Sequence, residues 1–161
     1  MMRTAPGFTL IELLIVIFII SITLGLALPQ FRKTFTDMKL HTTAQDMVSL
    51  IRFAQERSAV ENIMVRLNLD GAEGRYWLTM AIKDQKSTAW NFEKLGGNFG
   101  REYKIPEDLK METEGRSIDF YPDGDMGKGR ITIANTNQRS TVIVLSPGSA
   151  NKIQVIENAK Q

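Results

Sequence analysis

The sequence predicts an α+β fold, with one long N-terminal helix followed by short antiparallel strands. Three observations carry this expectation. Residues Phe8 to Leu28 form an apolar run interrupted only by Thr9, Glu12, Ser21, Thr23 and Gly25. Further on, Leu40, Ala44, Met47, Ile51, Ala54 and Ser58 recur at spacings of four and three, with Val48 widening the stripe, as on an amphipathic helix with one buried face. From Val65 the period changes from 3.6 to 2, which is the signature of strands.

Chain length bounds the architecture. Of 161 residues, roughly 130 remain once an N-terminal membrane segment is set aside, enough for a single core. The net charge of +2 is too small to argue for nucleic acid by itself. There are no cysteines, which excludes disulfides, thiolate zinc sites and thiol nucleophiles. His41 is the only histidine, so a zinc site built from several histidines is excluded as well.

The first element is the apolar run itself. As a helix, Phe8 to Leu28 would span about 30 Å, the thickness of a bilayer's hydrocarbon core. A carboxylate in such a segment costs about 2.5–3.5 kcal/mol on insertion scales and is by default functional, which singles out Glu12. Two plainer readings are a cleaved signal peptide and a simple signal anchor. The run is longer than a normal signal-peptide core, and no Ala-x-Ala site precedes Pro29. A simple anchor leaves Glu12 without a reason. Arg3 lies on one side of the run, and Arg32, Lys33 and Lys39 lie on the other, so the positive-inside rule alone favours a cytoplasmic C-terminal part.

Pro29 closes the run, removes a helical hydrogen bond and predicts a bend near it and Gly25. The helix then continues to about Glu61 or Asn62. Phe31 and Phe35, one turn apart, read as packing contacts between subunits. Strands follow at Val65–Asp70 and Arg75–Ile82 around the turn Asp70-Gly71-Ala72-Glu73-Gly74. Lys83 to Lys104 reads as a polar loop. Further strands are expected at Leu109–Glu114, Ser117–Tyr121, Gly129–Ala134, Thr141–Leu145 and Lys152–Ile156, with turns at Pro122-Asp123-Gly124, Asn135–Arg139 and Pro147-Gly148.

Few constellations carry chemistry. Asp119, Asp123 and Asp125 could bind calcium, but Pro122 intrudes and no glutamate closes the loop, so a Pro-Asp-Gly turn is the preferred reading. Gly124 to Gly129 lacks the spacing of a phosphate loop, and Gly96 to Gly100 is no dinucleotide fingerprint. His41 sits beside the buried stripe with no nucleophile pattern near it. No catalytic residues, metal site or cofactor are expected, and the chain does not read as an enzyme.

The segment Gly7-Phe8-Thr9-Leu10-Ile11-Glu12, followed by apolar residues, resembles the processing site of type IV prepilin-like proteins. The resemblance implies that prepilin peptidase cuts between Gly7 and Phe8 and that the new amino group of Phe8 is N-methylated. It also implies that Glu12 meets the N-terminal amine of a neighbouring subunit during assembly, and that Pro29 marks the family's helix kink. The organisation is then a leader over 1–7, a transmembrane helix over 8–29, an amphipathic continuation over 30–62 and a periplasmic β-rich domain over 63–161. The leader must lie in the cytoplasm, against the positive-inside rule.

Within that superfamily, Ile51-Arg52-Phe53-Ala54-Gln55-Glu56-Arg57-Ser58-Ala59, the turn Ile118-Asp119-Phe120-Tyr121-Pro122-Asp123-Gly124 and the closing strands resemble the GspH/FimT branch. What that implies is a minor pseudopilin, a structural subunit of the type II secretion pseudopilus. It would sit in the inner membrane as a single-pass protein with its domain in the periplasm. Its partners would be other pseudopilins, prepilin peptidase and an inner-membrane assembly platform. The alternative is a minor pilin of a type IV pilus, FimT- or FimU-like, acting in pilus assembly or DNA uptake. DNA-binding members carry a basic Gly-Arg motif near the C-terminus. Here Gly148 to Val155 holds a single lysine, Lys152, and only Lys128, Arg130 and Arg139 could add to a patch.

Overall fold

A computed structural model describes residues 7–83, 90–136, 139–147 and 152–159, with the side chains of 26–33, 83, 90, 98 and 159 outside the described set. The chain divides into two units, Met1–Phe35 and Thr36–Gln161. The helix α1 runs Leu10–Glu61. In the first unit its described apolar side chains, from Leu10 to Leu24, are exposed. The bend expected at Pro29 and the contact expected of Phe31 fall among residues 26–33, outside the described side chains, and Phe35 is exposed.

In the second unit, α1 buries Leu40, Thr43, Ala44, Met47, Leu50, Ile51, Ala54 and Ser58. The stripe read from the sequence is therefore one face of a wider buried surface that also includes Leu50 and Thr43. The helix ends where Asn62 turns left-handed at φ 53°, a conformation asparagine tolerates. The Ile63 N–H then donates to the Ser58 carbonyl at 3.2 Å, the bond that closes a Schellman cap.

Two antiparallel sheets pack on this helix. The first contains β1 (Val65–Asp70), β2 (Arg75–Lys83), β3 (Trp90–Lys94), β4 (Tyr103–Lys104) and, further on, β6 (Ser117–Phe120). Its order is β3-β2-β1-β6, with β4 also paired to β2. The second holds β5 (Leu109–Thr113), β7 (Gly129–Asn135), β8 (Arg139–Ser146) and β9 (Lys152–Ala159), in the order β5-β7-β8-β9. Inward positions alternate along each strand, as period-2 patterning requires. Val65, Leu67, Leu69, Leu78, Ile118, Phe120, Ile131, Ile133, Ile143 and Leu145 thus meet the helix residues in one core.

The loop expected over 83–104 is only partly a loop. β3 occupies Trp90–Lys94, a 3-10 turn follows at Asn98–Gly100, and β4 is at Tyr103–Lys104. The physical reason is edge pairing. The short stretch gains ladder bonds along β2, with Ala81 opposite Phe92 and Tyr76 opposite Tyr103, and Phe99 stacks on Phe53 of α1 with centroids 4.0 Å apart. β9 also runs three residues past the alternation that announced it, because its ladder with β8 continues from Lys152 opposite Ser146 to Ala159 opposite Arg139.

Candidate assembly site

The residues singled out at the N-terminus stand on the first turn of α1. Thr9 precedes the helix, and its Oγ1 accepts the backbone N–H of Glu12 at 3.3 Å. Its carbonyl accepts the N–H of Leu13 at 3.3 Å. Thr9 and Glu12 thus have the spacing and half the bonding of a capping box. The four residues Thr-Leu-Ile-Glu of the processing-site segment carry this capping signal as well. It gives Glu12 a second reason to be where it is, since a carboxylate in the first turn complements the helix dipole.

Among the described residues around this turn nothing else is polar. Leu10, Ile11, Leu13 and Leu14 are exposed, and Phe8 is 81 % exposed. Helices that are apolar on every side belong in lipid or inside a bundle of other helices. Two of the three hydroxyls in the run donate within the helix, Ser21 to the Ile17 carbonyl and Thr23 to the Ile19 carbonyl, both at 2.8 Å. Internal satisfaction is what a non-aqueous surrounding demands. Among the described residues, no helix is long and apolar enough to cross a membrane; the sequence continues the apolar run beyond Gly25 with Leu26, Ala27 and Leu28. A Cβ placed on Gly7 would meet no atom within 4 Å, so the fold itself does not require glycine there.

Elsewhere the structure disperses the other candidate groups. Asp119 pairs with Arg66 through Nε at 2.6 Å and Nη2 at 2.9 Å. Asp123 accepts the N–H of Asp125 at 3.0 Å, and Asp125 accepts the N–H of Met126 at 2.9 Å. Gly124, at φ 87°, completes the turn. These carboxylates shape a tight turn, and among the described residues no three histidine or acidic side chains gather as metal ligands. His41 Nδ1 lies 3.0 Å from Glu157, and its Nε2 lies 2.9 Å from the Gln45 amide, on the exposed side of α1. Two of the basic residues that might have faced DNA are paired with acids, Arg130 with Glu114 at 3.4 Å and Arg139 with Asp37 at 2.7 Å.

Comparison with known proteins matches both halves of this arrangement. Residues 2–28 match the prokaryotic N-terminal methylation motif, and residues 43–149 match the type II transport protein GspH family. The type II secretion system protein H of Pseudomonas aeruginosa is 26 % identical over 164 aligned residues, covering 90 % of this chain and 92 % of that protein. The minor pseudopilin EpsH of the Vibrio cholerae type 2 secretion system superposes with a TM-score of 0.62 at 10 % identity, covering 74 % of this chain and 97 % of EpsH. The type IV minor pilin FimU of Pseudomonas aeruginosa reaches 0.52 at 13 % identity, covering 76 % and 92 %. At such identities the two structures speak to the fold alone. The family match extends over most of the chain, from within α1 through all of β1 to β8. This chain, with a prepilin-type methylation motif ahead of a helix packed on two antiparallel sheets, belongs to the GspH family of type II transport proteins.

Proposed function

We infer that the chain serves as a minor pseudopilin, a structural subunit of the type II secretion pseudopilus. The observation that carries this reading is the GspH match over residues 43–149, joined to the methylation motif over 2–28. A pseudopilin works by assembling with other pseudopilins in a filament, and the apolar first unit is chemically suited to a filament core.

The finer steps rest on the residues. Prepilin peptidase cuts after Gly7, a position whose glycine the fold does not need, and the freed amine of Phe8 is methylated. Before assembly, residues 8–29 lie in the inner membrane, and the amphipathic continuation over 30–62 leads to the β-rich domain over 63–161 in the periplasm. Glu12, held at the helix start by Thr9, accepts the amine of a neighbouring subunit, so that two charges costly in an apolar core cancel. Pro29 lets the helix bend as the subunit leaves the bilayer for the filament. The chain performs no catalysis; the assembly platform and its motor supply the work.

Deletion of the gene tests the reading. Folded exoproteins should accumulate in the periplasm, while twitching and transformation continue. Retained secretion with lost twitching would move the chain to a type IV pilus.

A further inference from the structure

The second sheet ends at β9, whose outer edge has no partner among the described residues. Other edges are short or guarded. β5, at the opposite end of the same sheet, spans only Leu109–Thr113 and turns Lys110 and Glu112 to solvent. β6 spans Ser117–Phe120 and is bridged at Phe120 by Met126. β9 has eight residues with neither proline nor glycine, and its central Val155 and Ile156 are 48 % and 44 % exposed on opposite faces. A long edge with exposed apolar side chains and unpaired backbone groups is what proteins avoid unless a strand is meant to join it.

The register shows what lies beneath. Ile153, Val155 and Glu157 stand opposite Leu145, Ile143 and Thr141, whose side chains are buried against the core. The inward face of β9 therefore overhangs α1, and there the sheet falls short of covering the helix. A groove of about 440 Å³ remains, lined by Ala44, Val48, Ser49 and Arg52 of α1, by Thr141 of β8 and by Val155 of β9, and crossed at one end by Glu157 of β9, which reaches His41 of α1 at 3.0 Å. An added strand would lie about 4.8 Å beyond β9, alongside this groove. Arg52 makes no ion pair among the described residues.

We propose that β9 is a docking edge for an extended strand of a neighbouring, different subunit, which lengthens the sheet and closes the groove against α1. The partner strand carries apolar side chains at its inward positions, opposite Val155, and one carboxylate placed to reach Arg52. Backbone hydrogen bonds supply the attachment, and the groove selects the sequence. The proposal deepens the reading of the chain as a filament subunit and rests on it.

Photo-cross-linking of the full chain, in cells assembling the whole machine, tests this. A photoreactive residue at Gln154 should cross-link to another pilin-like subunit, at a segment of alternating apolar residues, whereas one at Lys110 should not. Val155→Glu points a charge into the groove and should cut that product at least tenfold. Arg52→Glu changes an exposed helix residue, so it keeps the test valid should the first variant fold poorly, and it should also weaken the product. Equal products from Lys110, a product joining two copies of β9, or full cross-linking in both variants would overturn the proposal. If deletion of the gene leaves secretion intact while these variants still lose the cross-link, the secretion reading fails and the docking edge stands. If Glu12→Val abolishes assembly while the Val155 and Arg52 variants cross-link normally, only the docking edge fails.

Discussion

Arg66 is held between Asp119, which its guanidinium meets at two points, and the ring of Phe92, whose centroid lies 3.8 Å from Cζ. The three side chains come from β1, β6 and β3, so the pair ties neighbouring strands across the outer face of the first sheet. The hydrogen bonds Arg66 donates to Asp119 push its pKa above the ordinary value, so the cation persists at any pH the fold survives. Two-point pairing of this kind is stronger than a single surface contact.

With its carboxylate so engaged, Asp119→Ala should destabilise the domain by about 1–3 kcal/mol, since a partly buried guanidinium is left without its anion. Denaturant unfolding of the two proteins checks this. Calcium at millimolar concentration should leave the melting temperature of the parent unchanged. A rise of several degrees would reassign the turn around Pro122 as a cation site.

Ser58 is fully buried, and its hydroxyl lies 2.6 Å from the Ile63 carbonyl and 2.9 Å from the Phe120 carbonyl, sharing one proton between them. Ser58→Ala should cost about 1–3 kcal/mol, because a buried acceptor is left unsatisfied. Ser58→Thr keeps the hydroxyl, so it should recover part of that loss if the added methyl fits. Thermal melts of both variants separate lost bonding from lost packing.

Gly100 closes the 3-10 turn, where a Cβ would land 1.4 Å from the Leu95 carbonyl oxygen. Gly100→Ala must therefore open the turn and pull Phe99 from its stack on Phe53. Proteolysis should then cut between residues 95 and 101 at least tenfold faster than in the parent. Cleavage at the parent rate would show that the turn can rearrange without loosening.

The phenol of Tyr76 is pushed up from 10.0 to about 12, chiefly by burial and further by the nearby charge of Asp46. The folded chain then holds this proton more tightly than the unfolded chain does. Stability from Tyr76 is complete below pH 10 and is lost as pH rises towards 12. At the acid end the sign reverses. The Glu73 N–H, and after it Arg75, hold Asp70 below its ordinary 3.8, and Lys39 does the same for Asp108. Their contribution is complete above that value and lost as pH falls beneath it. Tyr76→Phe should flatten the decline in unfolding free energy between pH 10 and 12 while leaving the acid limb alone. Asp108→Asn should do the reverse.

At the N-terminus, mature protein should begin with N-methylated phenylalanine by mass spectrometry, and an intact Met1 terminus would refute processing. Glu12→Val should enter the membrane normally and assemble poorly. Glu12→Gln keeps most of the cap and loses the charge, so it should assemble as poorly as the valine variant if pairing with the amine is what matters. Pull-down of neighbouring pseudopilins measures both.

The helix and the β1–β2 hairpin were legible in the sequence because their periods are long and clean, 3.6 through Ser58 and then 2 from Val65. The segment from 83 to 104 was not legible. Trp90, Phe92 and Lys94 do alternate, but three positions do not outweigh the polar and glycine-rich residues around them, and β3 and β4 are stabilised by pairing with β2 rather than by their own pattern. The turn at Pro122 was legible because proline, aspartate and glycine each have a backbone reason to be there. The pairing of Asp119 with Arg66, 53 residues away, was not, because register between β1 and β6 decides it. Thr9 as partner of Glu12 was legible in four consecutive residues, because a capping box has a fixed local spacing.

If the subunit is drawn by its N-terminal helix, as the proposed role requires, the pull passes on to its domain through the bonds along α1. Nearest the pull, Asp37 is fastened to Asn135 and Arg139, both at 2.7 Å, and Lys39 to Asp108 at 2.9 Å. The two ion pairs face solvent and give way and re-form at little cost, and the buried Asn135 amide adds a part-buried bond to Asp37. At the far end, the buried Ser58 hydroxyl ties the last turn of α1 to β6 inside the core. The helix is therefore moored compliantly at its entrance and rigidly at its tail, so a tug first slackens the surface ties, and the domain ruptures only when the whole interior shears.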